Sequence, residues 1–204
     1  MTVKTKIALG LLALVLFAGG ASVWFVLGRG FSAKEEPTAV EAFIARRVRS
    51  LATPRDHRDT NNPVAKSPEV ISEAMAHFAD HCASCHANDG SGDTPLGKGL
   101  YPKPPDLRQV GTQDLTDGEL FYIIHHGIRL TGMPAFGQGP PDQDMDSWKL
   151  VHFIRHLPAI TSAELEKMKE MNPVSRHEME EEEAIQRFLA GDDSQPATES
   201  HKHD

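Results

Sequence analysis

Hydrophobic residues are spaced along this 204-residue chain in ways that predict helices almost throughout. The first is a run of 21 uncharged residues from Ile7 to Leu27, preceded by Lys4 and Lys6. As a helix rising about 1.5 Å per residue, it would be about 31 Å long and match a bilayer core. The sequence therefore predicts an uncleaved membrane anchor with lipid around residues 7–27. A cleavable signal peptide is the alternative, although Val23 to Leu27 extend the apolar run past the small residues of a cleavage site.

A second periodic segment lies between Pro37 and Pro54. Its apolar residues recur at helical spacing opposite a group of arginines, which predicts an amphipathic helix of about 15 residues. The apolar set is Val40, Phe43, Ile44, Val48 and Leu51, and the arginines are Arg46, Arg47 and Arg49. The simplest interpretation is that the apolar face packs on the following domain. The alternative is that it lies on a membrane surface or docks a partner subunit. Residues 55–68 are charged and turn-rich, and are interpreted as a linker.

Helical periodicity returns in the second half of the chain. It predicts helices over Pro68–His81, Asp117–His126 and Asp144–His156, and further helices over Ser162–Met171 and Glu178–Leu189. Ser162 is the expected N-cap of the fourth of these helices. Residues 191–204 are of low complexity and are predicted to be disordered.

Charge divides the chain into three parts. Residues 1–60 hold nine Lys/Arg and five Asp/Glu, residues 61–160 hold seven and twelve, and residues 161–204 hold five and twelve, within an overall net charge of −8. This acidity argues against nucleic acid as a partner. The acidic end is read as solvated helix, with a docking surface for a basic partner or a brace across the domain as alternatives. Two cysteines exclude a disulfide-dense scaffold.

Both cysteines lie in Cys82-Ala83-Ser84-Cys85-His86. This CxxCH pattern is typical of c-type haem attachment, in which two thiols add to the haem vinyl groups and the adjacent imidazole binds the iron. A thioredoxin-like pair would need a βαβ context, and a zinc site would need further ligands at matching spacing. A plain disulfide would leave His86 unexplained. The motif therefore predicts one haem c bonded to Cys82 and Cys85.

The opposite side of the iron needs a second ligand, for which Met133 is the best candidate. It lies in a Gly- and Pro-containing segment that cannot form a long helix, so its thioether can fold over a haem face. His125 and His126 are the rival ligands and would give a bis-His site. Arg129, close to Met133 in sequence, is a candidate partner for a haem propionate, although an exposed arginine is an equally good interpretation.

These residues resemble the class I c-type cytochromes, in particular single-haem members anchored by an N-terminal membrane helix. The resemblance covers residues 62–158, through the segments 78–86, 101–107, 127–136 and 148–155. It implies that the Pro105 carbonyl accepts the far N–H of the histidine ligand, which would tune the ligand's basicity. It also implies that Leu107 lies against the haem edge and that Phe78 marks where the first helix of the domain crosses the last.

The predicted fold is all-α, with three to five short helices around one covalent haem, an N-terminal transmembrane helix and a helical acidic extension. The predicted segments are the anchor (1–30), amphipathic helix and linker (31–66), cytochrome domain (67–160), acidic extension (161–190) and tail (191–204). About 95 residues make a marginal core, and a buried macrocycle would supply much of the missing apolar surface.

The expected function is electron transfer, not enzymatic catalysis, between a redox donor and acceptor that are membrane complexes of respiratory type. Because haem is attached to CxxCH outside the bacterial cytoplasmic membrane, the domain is expected to face the periplasm. A haem-based gas or redox sensor with a labile methionine ligand is the alternative. A peroxidase is disfavoured because only one CxxCH is present.

Overall fold

The computed structural model describes residues 2–30, 32–174 and 176–189, and within these ranges the chain forms helices and no β-strand. The helices are α1 (Val3–Arg29), α2 (Ala39–Ala52), α3 (Arg55–Arg58), α4 (Pro68–His77), α5 (Ala83–His86), α6 (Pro95–Lys98), α7 (Val110–Gln113), α8 (Asp117–His126), α9 (Met145–His156), α10 (Ser162–Lys169) and α11 (Arg176–Leu189). The predicted all-α class is confirmed. The tail 191–204, predicted to be disordered, lies outside the described residues.

Helix α1 contains the one candidate membrane span found in the described residues, Val3–Gly28. The side chains of Val3–Gly28 are exposed, as expected for a segment whose apolar surface is covered by lipid. The N-terminal apolar helix is therefore a candidate membrane anchor.

Helix α2 begins with a capping box, in which Thr38 and Glu41 each accept a hydrogen bond from the other's backbone N–H. Its apolar residues are exposed, so the prediction that they pack on the following domain is wrong. The opposite side carries half-buried Ala42 and Arg49 and leads to buried Thr53. Periodicity identifies an apolar face but does not say what covers it.

The segment predicted as a linker is instead attached to the domain that follows. Its short helix α3 packs against α8, where the Thr116 hydroxyl donates to the Arg58 carbonyl at 2.7 Å. Further on, the Asn62 amide donates to the Trp148 carbonyl at 2.9 Å, and the His152 imidazole lies 2.7 Å from the Val64 carbonyl. The acceptors in these contacts are backbone carbonyls, which every residue has, so the hydrophobic pattern could not predict them.

The core is built from α4, α8 and α9. Phe78 and Phe153 lie with ring centroids 5.1 Å apart where the α4 run crosses α9, which confirms the expected crossing. Phe121 of α8 stacks on Trp148 of α9 at 4.1 Å. Buried aromatic pairs of this kind fix how helices pack, because their preferred geometries are few.

The acidic extension begins with α10, whose N-cap is Thr161 and not the predicted Ser162. The physical reason is the position of Glu164, which is three residues after Thr161 and so completes a capping box with it. Met168 of α10 is completely buried in the core. This first helix therefore acts as a brace, the alternative to a purely solvated helix.

Candidate functional site

The CxxCH segment ends a continuous helical run from Pro68 to His86. Between α4 and α5 the run widens into a π-helical turn, Phe78–Cys82. Phe78 and Ala79 of this turn are buried in the core, which fixes the orientation of the cysteines that follow. The predicted helix over residues 68–81 is thus present, but periodicity did not reveal its π turn. Such turns occur frequently at functional sites.

Cys82 and Cys85 are both half-buried free thiols. Burial, with a smaller contribution from Cys85, raises the pKa of the Cys82 thiol to about 12. The two thiols sit on the last turns of the run, and no third cysteine exists to compete for them. The described residues also contain no group of three or more His, Cys, Asp or Glu suited to a metal ion, so nothing supports the zinc alternative.

His86 is the last residue of α5, and its Nδ1 atom is buried without a hydrogen-bond partner of good geometry in the described structure. Burial lowers the pKa of this imidazole, and the Pro105 carbonyl is near enough to raise it in part. A buried imidazole that is held neutral suits coordination of a metal through its other nitrogen. The Pro105 carbonyl beside the ring is placed to accept a hydrogen bond from it, which would leave the other ring nitrogen to bind an iron, so the buried His86 imidazole fits haem.

The loop after His86 is tied to the loop that carries Pro105. The Leu107 N–H donates to the Gly90 carbonyl at 2.8 Å, and the Leu107 side chain is buried. Arg108 joins the same two loops, with nitrogens 2.8 Å from carboxylate oxygens of both Asp89 and Asp106. The pair with Asp89 was not predicted, because it joins residues 19 positions apart in sequence.

The Met133 loop is folded back on itself. The Ile128 N–H donates to the Met133 carbonyl at 3.1 Å, and the Met133 N–H donates to the Thr131 hydroxyl at 3.1 Å. Gly127 enters the loop with φ of +66°, and a Cβ there would lie 2.6 Å from the Pro134 carbonyl carbon. A side chain at this position would open the loop.

One segment connects the CxxCH motif with the Met133 loop. At its start the Thr94 hydroxyl donates to the Cys85 carbonyl at 3.3 Å. At its end Leu100 lies against the Met133 loop, since a Cβ at Gly132 would be 2.8 Å from its Cδ2. Residues 94–100 therefore contact both elements that would hold an iron.

The two rival histidines have other contacts. His125 is buried, with its Nδ1 2.6 Å from Asp144 Oδ2 and its ring stacked on Phe121. His126 is exposed and stacks on Tyr122 at 4.2 Å. Arg129 is exposed, and its pairing with a propionate stays a prediction.

Together, the all-helical domain, the CxxCH run and the buried His86 imidazole beside Pro105 fit a covalent haem-binding domain. Residues 69–154 match the family described as cytochrome C oxidase, cbb3-type, subunit III. The chain therefore carries a c-type cytochrome domain, which implies a covalent haem c at Cys82 and Cys85, consistent with a role in electron transfer. No curated protein matches the chain.

Proposed function

We propose that this protein is a membrane-anchored electron carrier in which His86 and Met133 are the two axial ligands of one haem. The observation that carries the proposal is the segment 94–100, which contacts both Cys85 and the Met133 loop. When bound, the haem supplies a one-electron ferrous–ferric couple, and a thioether ligand raises its potential relative to bis-His ligation. The protein's part is to hold the two ligands in place.

The surroundings of His125 support methionine over histidine. Its Nδ1 contacts the Asp144 carboxylate, and a Cβ at Gly137 would lie 2.0 Å from that same nitrogen. Asp144, Phe121 and the closely approaching Gly137 backbone hold the His125 ring in place. Moving this ring to an iron elsewhere would break its buried contact with Asp144, which is costly. The exposed His126 has no such constraint but stacks on Tyr122, away from the buried core.

The absorption spectrum tests the ligand assignment. Oxidised protein with Met133→Ala should lose the far-red thioether-to-iron band, while Met145→Ala should keep it, because Met145 is a partly exposed residue of α9. Rapid carbon monoxide binding by the unmodified ferrous protein would contradict the carrier and favour a sensor. Retention of the band in Met133→Ala would assign the ligand elsewhere.

We further propose that α1 is retained as the anchor and that the haem domain faces the periplasm, between a donor and an acceptor in the respiratory membrane. The matched family is named for a subunit of an oxidase, which supports such partners. A tether keeps the domain at high effective concentration near them. The mass of the membrane-purified protein tests this: removal of residues before Ala21 would show that α1 is a signal sequence.

A further inference from the structure

The side of α2 that faces the haem domain is opposite to its apolar side. Half-buried Ala42 and Arg49 lie seven residues apart, and buried Thr53 follows four residues later, so all three share one face. Burial lowers the pKa of the Arg49 guanidinium, and the Glu119 carboxylate of α8 opposes this effect. Arg58 also donates to the Thr53 carbonyl at 3.4 Å. One face of α2 is therefore held by the domain.

The other face of α2 is apolar and exposed. Its five large apolar residues are between 54% and 84% exposed: Val40, Phe43, Ile44, Val48 and Leu51. At 100° per residue, Val40, Ile44 and Leu51 point close to 180° away from Ala42. An exposed row of large apolar side chains on a protein surface normally marks an interaction site.

The position of α2 in the chain identifies what covers this stripe. Only nine residues, 30–38, separate it from α1, and fully extended they would span about 30 Å. They are shorter than that, because the Glu35 N–H donates to the Ser32 carbonyl at 3.4 Å. The Lys103 ammonium also pairs with Glu36 and donates to the Lys34 carbonyl. The helix is thus held close to the membrane that α1 would enter.

Charge points to the same surface. Residues 29–60, which follow the membrane span, hold seven Lys/Arg and five Asp/Glu, whereas residues 61–204 hold 12 and 24. Arg46 and Arg47 are exposed, and the Arg47 guanidinium lies 5.4 Å from the centroid of the Phe43 ring. At 100° per residue Arg47 lies within the apolar face, between Phe43 and Leu51. An arginine so placed can reach lipid phosphates while its stem stays in apolar contact.

We propose that α2 lies in the interface of an anionic lipid bilayer, with its apolar stripe in the lipid and its Arg49 face on the haem domain. The proposal rests on α1 being a retained anchor but not on which residues bind the iron. It gives the haem domain a fixed face toward the membrane, because α2 then contacts lipid and protein at once. Without it, only the connection through residues 30–38 would orient the domain relative to α1.

Nitroxide labels on the full-length haem-loaded protein test the proposal. In nanodiscs of phosphatidylcholine and phosphatidylglycerol with one chain per disc, a label at Phe43→Cys should relax several-fold more with lipid-soluble oxygen than with a water-soluble nickel complex. A label at Ala45→Cys, exposed but off the apolar stripe, should show the reverse. The unmodified protein, labelled in parallel, measures any background from Cys82 and Cys85.

The difference between the two labels should shrink in discs of phosphatidylcholine alone and at high salt, because the arginine contribution is electrostatic. A label at Leu51→Cys should show the same preference for oxygen as a label at Phe43→Cys. This second position controls for a local effect of the first label. Equal accessibility at positions 43 and 45 in single-chain discs would overturn the proposal. Shielding of position 43 only in discs that hold two chains would overturn it too, since it would assign the stripe to a second copy. The far-red band, recorded on the same samples, reports separately on the haem ligands.

Discussion

Asp144 is the residue whose removal tests the architecture of the cytochrome domain most directly. Its buried carboxylate accepts hydrogen bonds from the backbone N–H of Ser147 at 3.0 Å and from the Ser147 hydroxyl at 2.6 Å. It also lies 2.6 Å from Nδ1 of buried His125. The Asp144 side chain thus caps the start of α9 and also pairs with His125 in the last turn of α8.

Asp144→Ala should lower the free energy of unfolding by about 2–4 kcal/mol. Loss of an N-cap costs about 1 kcal/mol. Leaving the buried His125 nitrogen unpaired adds about 1–3 kcal/mol. Because the Asp144 carboxylate is almost completely buried, solvent does not screen these contributions. Guanidinium unfolding of the detergent-solubilised holoprotein, followed by haem absorbance, measures the change.

Asp146→Ala is the matched control, because Asp146 lies in the same first turn but its side chain is 67% exposed. Its replacement should change stability by less than about 0.5 kcal/mol. If Asp144→Ala were equally mild, the assigned role of Asp144 as cap and partner would be refuted. Asp144→Asn, which keeps an acceptor for the Ser147 N–H, should fall between the two.

The same carboxylate also predicts a pH dependence. Burial raises the pKa of Asp144, but the hydrogen bonds with Ser147 and His125 lower it by more. The net shift of the Asp144 pKa is therefore downward. A lowered folded-state pKa stabilises the fold above the unfolded value of about 3.9 and loses that contribution as the pH falls through the folded value. The stability difference between the unmodified protein and Asp144→Asn should therefore shrink below about pH 4. A difference that persists unchanged at pH 3 would contradict this.

Two further substitutions test packing. Gly118→Ala should destabilise the protein by about 1–3 kcal/mol, because its Cβ would lie 1.9 Å from the His57 carbonyl oxygen, whereas Gly111→Ala has open space and should stay within about 0.5 kcal/mol in the same unfolding assay. Phe78→Ala should cost about 3–5 kcal/mol, since Phe78 is buried against Phe153. A loss of less than about 1 kcal/mol for Phe78→Ala would contradict the assignment of the Phe78–Phe153 contact to the stabilising core.

The sequence predicted the helices of the cytochrome domain well, because each has a buried face and a strong start signal. Helix α8 has the predicted bounds, and α9 begins one residue after the predicted Asp144, which serves as its cap. The CxxCH segment was equally clear, since covalent attachment demands fixed spacing.

What the sequence could not predict were contacts between groups that are distant in the chain. Arg108 pairs with Asp89 across 19 residues, and the carbonyl of Val64 meets His152 across 88. Neither contact alters the hydrophobic pattern. The preferred interpretation of the α2 stripe, packing on the following domain, was wrong for a related reason: an amphipathic pattern is the same whether protein or lipid covers it.

The segments that flank the family match on both sides are structural parts of the haem domain. Before residue 69, Asn62 holds α9 through the Trp148 carbonyl. After residue 154, Met168 is buried in the core. The Asn172 side-chain amide, oriented so that its nitrogen meets hydrogen-bond acceptors, donates to the Ala79 carbonyl at 3.2 Å. Ala79 lies in the π turn that leads into CxxCH. The acidic extension thus braces the back of the haem-attachment run. Glu166 and Glu170 stay exposed to solvent, so the extension joins the core on one side and keeps a charged side in water.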